Sequence, residues 1–218
     1  MSETRVKVWD GWVRLVHWLI VILIPVSYFT ARAGQMEWHM RSGFVLLTLV
    51  IFRVCWGLVG SHTARFSRFL RSPFAALAHL RHMRRGPDLE IGHNAAGGWM
   101  AVLMLALLAT QAVTGLFTDD QIFTQGPLAK RASPEVSDWA SYLHLRTINI
   151  LLAAIALHVL AIVWYRIRLG HNLIGPMVTG HKALPGDTAA PRLGHPVLAL
   201  VLLAASGMLV GWIWSLGT

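Results

Sequence analysis

Five apolar runs of spanning length dominate this chain, at about 13–31, 40–59, 96–117, 145–165 and 195–216. A run of roughly twenty apolar residues matches the hydrocarbon thickness of a bilayer as a helix. Hydrophobic residues make up 55% of the 218 positions and charged residues only 13%, which excludes an ordinary soluble domain. The first run has a basic start and an Ala-Arg-Ala at 31–33, like a secretory leader. His17 and the flanking Trp12 and Trp18 do not suit a disposable segment, so it is read as a retained span.

The net charge of +9 raises the question of nucleic acid. Its distribution answers it. Arg5, Lys7 and Arg14 precede or open the first run, and Arg65, Arg68, Arg71, Arg81, Arg84 and Arg85 lie between the second and third. Arg166, Arg168, Lys182 and Arg192 follow the fourth. If all five runs cross, these stretches share one side. The other side mixes Arg32, Arg41, Lys130, Arg131 and Arg146 with five acidic residues. The positive-inside rule then predicts a multi-pass membrane protein with its N-terminus in the cytoplasm and its C-terminus outside. The charge surplus is a topology signal, and no nucleic-acid partner is expected. The stretch RFSRFLRSPFAALAHLRHMRR reads as a helix in the headgroup plane of the lipid, with Pro73 interrupting it or starting its second half.

Ionisable residues inside a bilayer are costly and face the bundle interior. The fourth run, LHLRTINILLAAIALHVL, keeps His144 and His158 fourteen residues apart. That spacing is a rise of about 21 Å and returns to within roughly 40° of the same face. Each has a counterpart at its own depth: His17 in the first run with His158, and His39 at the outer end of the second with His144. Two facing pairs are what two bis-histidine haems require. A histidine ladder for protons or zinc uses the same residues and stays open at this point.

Cations accompany the histidines. Arg53 falls fourteen residues after His39, on its face and at the depth of the inner pair. Arg14 lies one turn before His17, and Arg41 and Arg146 flank the outer pair. All four are candidates for haem propionates; snorkelling to headgroups explains Arg14, Arg41 and Arg146 equally well. Gly43, one turn from His39, would let a flat ring approach the backbone, and close helix packing is the alternative. His93 and Asn94 open the third run, as a quinone contact or as a plain helix start. Trp9, Asp10 and Trp12 are possible contributors. Gln111 and Thr114 read as helix–helix hydrogen bonds. The 119–138 stretch reads as an outer loop whose Asp119, Asp120, Glu135 and Asp138 suit a basic partner.

Several stretches together resemble the bacterial cytochrome b561 family, which includes the b-type cytochrome subunits of nickel–iron hydrogenases. VWDGWVRLVHW at 8–18 is similar to its opening and WHMRSG at 38–43 to its H-x-x-x-G. GHNAAGGWM at 92–100 resembles a G-H-N-P-x-G-x-x-M, with Ala95 replacing the proline. GLFTDDQIF, GPL and the paired histidines of the fourth run complete the likeness, over residues 6 to about 180.

The resemblance implies an all-α integral membrane fold. A four-helix transmembrane bundle over 1–170 would bind two b haems, and 171–218 would supply a cytoplasmic loop and a fifth C-terminal transmembrane helix. It implies His17, His39, His144 and His158 as iron ligands. It also implies electron transfer between membrane quinone and a redox partner, with the resembled branch serving a periplasmic c-type cytochrome. A superoxide:quinone oxidoreductase would use the same haems, so the sequence does not decide between an electron-transfer protein and a quinone-linked enzyme subunit.

Overall fold

The computed structural model describes residues 3–82, 88–120 and 124–217. Arg84 and Arg85 of the first basic loop, and Gln121, Ile122 and Phe123 of the GLFTDDQIF stretch, lie outside the described residues.

A short strand, β1 (Glu3–Lys7), leads into α1 (Gly11–Arg32) and α2 (Met36–Val59). Two small helices follow, α3 (Phe66–Phe69) and α4 (Pro73–Arg81), then α5 (Ala95–Gly115). After a single 3₁₀ turn come α6 (Pro134–Trp164), a π-helical turn (Tyr165–Leu169) and α7 (Ile174–Thr179). Strand β2 (His181–Pro185) and α8 (Pro196–Ser215) finish the chain. Helices α1, α2, α5, α6 and α8 are long and apolar enough to cross a membrane. The fold is the expected all-α membrane bundle, with one small sheet added.

Local chemistry sets the helix ends. Asp10 caps α1, its carboxylate accepting from the Val13 N–H at 2.8 Å, and Asn94 caps α5 through the Gly97 N–H at 2.7 Å. Ser72 caps α4 with Pro73 as its first residue, so Pro73 starts the second half of the basic stretch. Gly34, at φ +72°, makes the left-handed turn between α1 and α2 that a side chain would strain.

Helix α6 differs from the expectation. It begins at Pro134, behind the Ser133 cap position, eleven residues before the apolar run at 145. Glu135 and Asp138 therefore stand on its first turns and not in a loop. Hydropathy marks only the part immersed in lipid; PEVSDWASY is polar yet has the cap and proline of a helix start.

The principal packed pairs are α1 with α2, α5 with α6, α2 with α5 and α2 with α8. The end carrying β1, α3, α4 and α7 is called the basic end here, and the opposite one the far end. At the basic end, β1 pairs antiparallel with β2, from Glu3 opposite Pro185 to Lys7 opposite His181. Lys182 reaches from β2 to the Asp88 carboxylate at 2.6 Å and the Glu90 carbonyl at 2.7 Å. Residues beyond 170 are thus bound to the start of the chain through the sheet, and to α2 through α8.

The core has three levels. Trp9, Val16, Phe52 and Trp56 pack at the basic end, and Leu47, Leu116 and Val210 at the far end. Between them Ile24, Leu46, Val50, Leu108 and Leu151 form a buried apolar layer contributed by α1, α2, α5 and α6.

Candidate haem sites

His39 on α2 and His144 on α6 face each other at the far end, with ring centroids 6.0 Å apart and planes at 83°. Two imidazoles sharing one metal, each nitrogen about 2 Å from it, place their centroids about 6 Å apart. Each ring is held by its Nδ1. That of His39 lies 2.8 Å from the Ser27 carbonyl, and that of His144 lies 2.9 Å from the Gln111 carbonyl. A carbonyl only accepts, so Nδ1 carries the proton and Nε2 keeps its lone pair for a metal. Ser27 was not visible as a site residue in the sequence, because the contact is to its backbone.

Both rings line a cavity of about 540 Å³ between α1, α2, α5 and α6. A cofactor-sized site is about 300–1,000 Å³. Its walls are mostly apolar, including Ile24, Leu108, Leu116 and Ile148. Gly43 is on the wall, and a Cβ there would meet nothing within 4 Å, so the backbone is open to a flat ring. Gly115 does a different job: a Cβ on it would lie 2.9 Å from the His144 ring, so only glycine lets that imidazole rest on α5. Gln111 and Thr114 bond His144, a helix–helix contact as expected. The Gln111 amide nitrogen is 3.1 Å from His144 Nε2, where a metal would bind, while its Oε1 is buried without a partner. Gln111 must turn away when a ligand enters, and its poor satisfaction leaves it free to do so.

Arg32, at the end of α1, lines the mouth of this cavity with Asp119, Asp120 and Thr124. Arg41 instead pairs with Glu37 at 2.5 Å and stacks over Trp38, and Arg146 stacks over Tyr142. Both are exposed and off the cavity wall. An i,i+4 partner and a neighbouring ring supply nearer contacts than the cavity does.

At the basic-end level, His17 on α1 and His158 on α6 are electrostatic neighbours, and His93 lies beside both. Nδ1 of His17 and Nδ1 of His93 are sealed from solvent and lack a partner. The His93 ring sits edge-on to Trp9 at 4.7 Å and against Phe69 at 4.6 Å. Arg53 also reaches this level. It donates to the Ala64 carbonyl at 3.3 Å, lies over Phe66, and has Asp10 as an electrostatic neighbour. The sequence showed it no acidic partner; the fold brings one from 43 positions away. Asp10 is buried and also accepts from Trp56 Nε1 at 3.1 Å, which makes it a structural acid. Arg14 is turned to the Val178 carbonyl at 2.5 Å, at the end of α7. Both ends of the Asn94 amide are engaged: the oxygen caps α5 and Nδ2 donates to Tyr165 Oη at 3.2 Å.

Imidazoles on separate helices at two levels, held at Nδ1 at the far end beside a cavity with a glycine in its wall, are an arrangement that a membrane b-type cytochrome can use. The family model for prokaryotic cytochrome b561 matches residues 8–180, and the chain belongs to that family. Membership brings haem b and electron transfer. No curated protein and no solved structure matches the chain.

Proposed function

We propose that the chain is a two-haem cytochrome b that moves electrons across the bacterial inner membrane between quinone and a redox partner. The basic end faces the cytoplasm, on the charge bias of the loops. His39 and His144 hold one haem, and His17 and His158 the other. The observation that carries this reading is the opposed His39/His144 pair, each Nδ1 on a backbone carbonyl and each ring on the cavity wall.

Bound haem supplies a one-electron carrier whose potential depends on its ligands, hydrogen bonds and burial. The protein's part is to fix the imidazoles, exclude water and space the two levels. The apolar layer around Leu151 forms part of the far-end cavity wall. At the far end Arg32 stands at the cavity mouth, where a propionate would emerge. Arg14 lies three residues before His17, and Arg53 is an electrostatic neighbour of His93 beside the inner pair.

Quinone is the partner at the basic end, near His93, whose sealed Nδ1 lacks a hydrogen-bond partner. At the far end the partner is a periplasmic c-type cytochrome or another redox subunit. Asp119 and Asp120 at the cavity mouth, with Glu135 and Asp138 on the first turns of α6, place acidic groups there.

Haem quantitation on purified chain with His17→Ala and with His39→Ala tests the reading. Each is expected to remove a different haem and leave the other visible in the reduced spectrum. A colourless wild type that moves protons or zinc would overturn it.

A further inference from the structure

Tyr165 is the first residue of the π-helical turn that ends α6. It falls on the stripe of His144, Leu151 and His158, each seven residues after the last. A seven-residue step rises about 10 Å and drifts only about 20° around a helix. Leu151 and Tyr165 are both buried. The ligand stripe therefore continues inward to a phenol, one step beyond His158.

The Tyr165 hydroxyl has two polar partners from different elements. Asn94 Nδ2 donates to it at 3.2 Å, and His79 Nε2 on α4 lies 2.8 Å from it. An amide NH₂ has no lone pair to offer, so the phenol's own proton is left for the histidine. One proton then has two homes, on Tyr165 Oη or on His79 Nε2, and that is the geometry of proton transfer. The His79 and phenol rings are nearly parallel, with planes at 11° and centroids 6.4 Å apart along the hydrogen bond. His79 is partly exposed and Tyr165 is buried, so the pair joins a buried residue to one that solvent reaches.

Other groups around the phenol are His171, whose ring is 6.0 Å away, and Asp88 and Glu90 in the segment before α5. Asp88 is tied to Lys182 and Glu90 to Arg71. Asn94 follows His93, which lies among His17, His158 and Arg53. The pair thus stands between the inner histidine level and the surface of the basic end. A π-helical turn is a common device for re-aiming a side chain at a working site.

The geometry points to Tyr165 and His79 as a proton-transfer pair that carries protons between a quinol bound at the basic end and water. This rests on the quinone reading above. Quinol oxidation gives up two electrons and two protons. For each, the quinol O–H bond breaks and the electron goes to a one-electron acceptor in the bundle. The proton goes to Tyr165 Oη while the phenol's own proton crosses to His79 Nε2. His79 then sheds its Nδ1 proton to water, and exchange with water restores its first tautomer. Quinol becomes quinone, and both side chains return unchanged. Asn94 is the positioning residue, holding the phenol so that its proton faces His79.

The test uses full-length, haem-loaded protein with a short-chain ubiquinol as donor, comparing wild type, Tyr165→Phe and His79→Gln. Phenylalanine keeps the ring, and glutamine keeps a hydrogen bond to the phenol but does not relay a proton. Both variants are expected to keep wild-type haem content and full reduction by dithionite. Quinol-driven reduction should slow about a hundredfold in each, the lower end of what a positioned proton-transfer group contributes. The solvent deuterium isotope effect of the wild-type rate should change in both. A readout independent of rate is the infrared difference spectrum between oxidised and reduced wild type. It should contain a tyrosine C–O band that shifts in deuterium oxide and is missing in Tyr165→Phe.

Wild-type rates in both variants, or no tyrosine band, overturn the pair and leave the quinone reading standing. A slow Tyr165→Phe beside a wild-type-like His79→Gln also overturns it, since the phenol would then serve structure alone. A wild-type chain that no quinol reduces, although dithionite does, overturns both.

Discussion

The imidazoles of His39 and His144 come from helices 105 positions apart along the chain and meet edge to face with centroids 6.0 Å apart. Each is oriented from behind by a carbonyl of a third helix: Ser27 on α1 for one, Gln111 on α5 for the other. All four principal helices therefore contribute to the placing of these two rings. His39→Ala or His144→Ala is expected to remove about half of the reducible haem absorbance. His17→Ala or His158→Ala should remove the other half. Haem extraction and reduced-minus-oxidised spectra measure this directly; equal spectra for the two sets of variants would contradict two separate sites.

The two glycines of the far-end cavity should behave differently. Gly43→Ala adds a methyl to open space and should leave both folding and haem content near wild type. Gly43→Phe, reaching into the cavity, should lower far-end haem content at least several-fold. Gly115→Ala meets the His144 ring at 2.9 Å, so even a methyl should displace the ligand and reduce haem binding. Haem titration into apo-protein, with circular dichroism to confirm helicity, separates the cases.

Asp10 holds two donors at once, the Val13 N–H and Trp56 Nε1. Asp10→Ala loses a helix cap, typically about 1 kcal/mol. It also strands a fully buried indole N–H, for a further cost of about 1–3 kcal/mol. Asp10→Asn keeps an oxygen acceptor and should recover most of the loss. Thermal unfolding in detergent is the measurement, and equal melting temperatures for the two variants would contradict this role.

His93 should stay neutral where an ordinary histidine is half protonated. Burial, reinforced by the Arg53 charge, pushes it down from its usual value to about 3. Above the ordinary pKa of about 6.5 both folded and unfolded chains hold it neutral, and its contribution to stability is complete. As pH falls from there towards the folded value, the unfolded chain binds a proton that the folded chain refuses, and stability is lost. Unfolding temperature should therefore drop between pH 6.5 and 5 more steeply in wild type than in His93→Gln. A parallel slope in the two proteins would show that His93 is open to protons.

Salt should act on any far-end partner reaction. Acidic groups at the cavity mouth and on the first turns of α6 attract a basic cytochrome over about 10 Å at 0.1 M ionic strength. Raising ionic strength should slow transfer to such a partner several-fold while leaving quinol-driven haem reduction unchanged. A salt-independent partner rate would argue against docking at this face.

The sequence by itself determined the spans, because a bilayer demands about twenty apolar residues per crossing and tolerates few charges. Helix periodicity placed the four histidines at two depths, since a helix converts residue spacing into height and face. It did not show the helical start of α6 at Pro134, since hydropathy measures lipid immersion and not helix length. Nor did it show the β1–β2 pairing, which joins residues from opposite ends of the chain in a ladder of backbone bonds. Only tertiary structure decided what each polar side chain does. Ser27 serves through its carbonyl, Gly115 through the room it leaves, and Asp10 through partners three and 46 positions away. Arg41 and Arg146 turn to neighbours on their own helices, while Arg32 lines the cavity. Spacing along one helix fixes depth and direction; the identity of the atom across a gap depends on how separate helices pack.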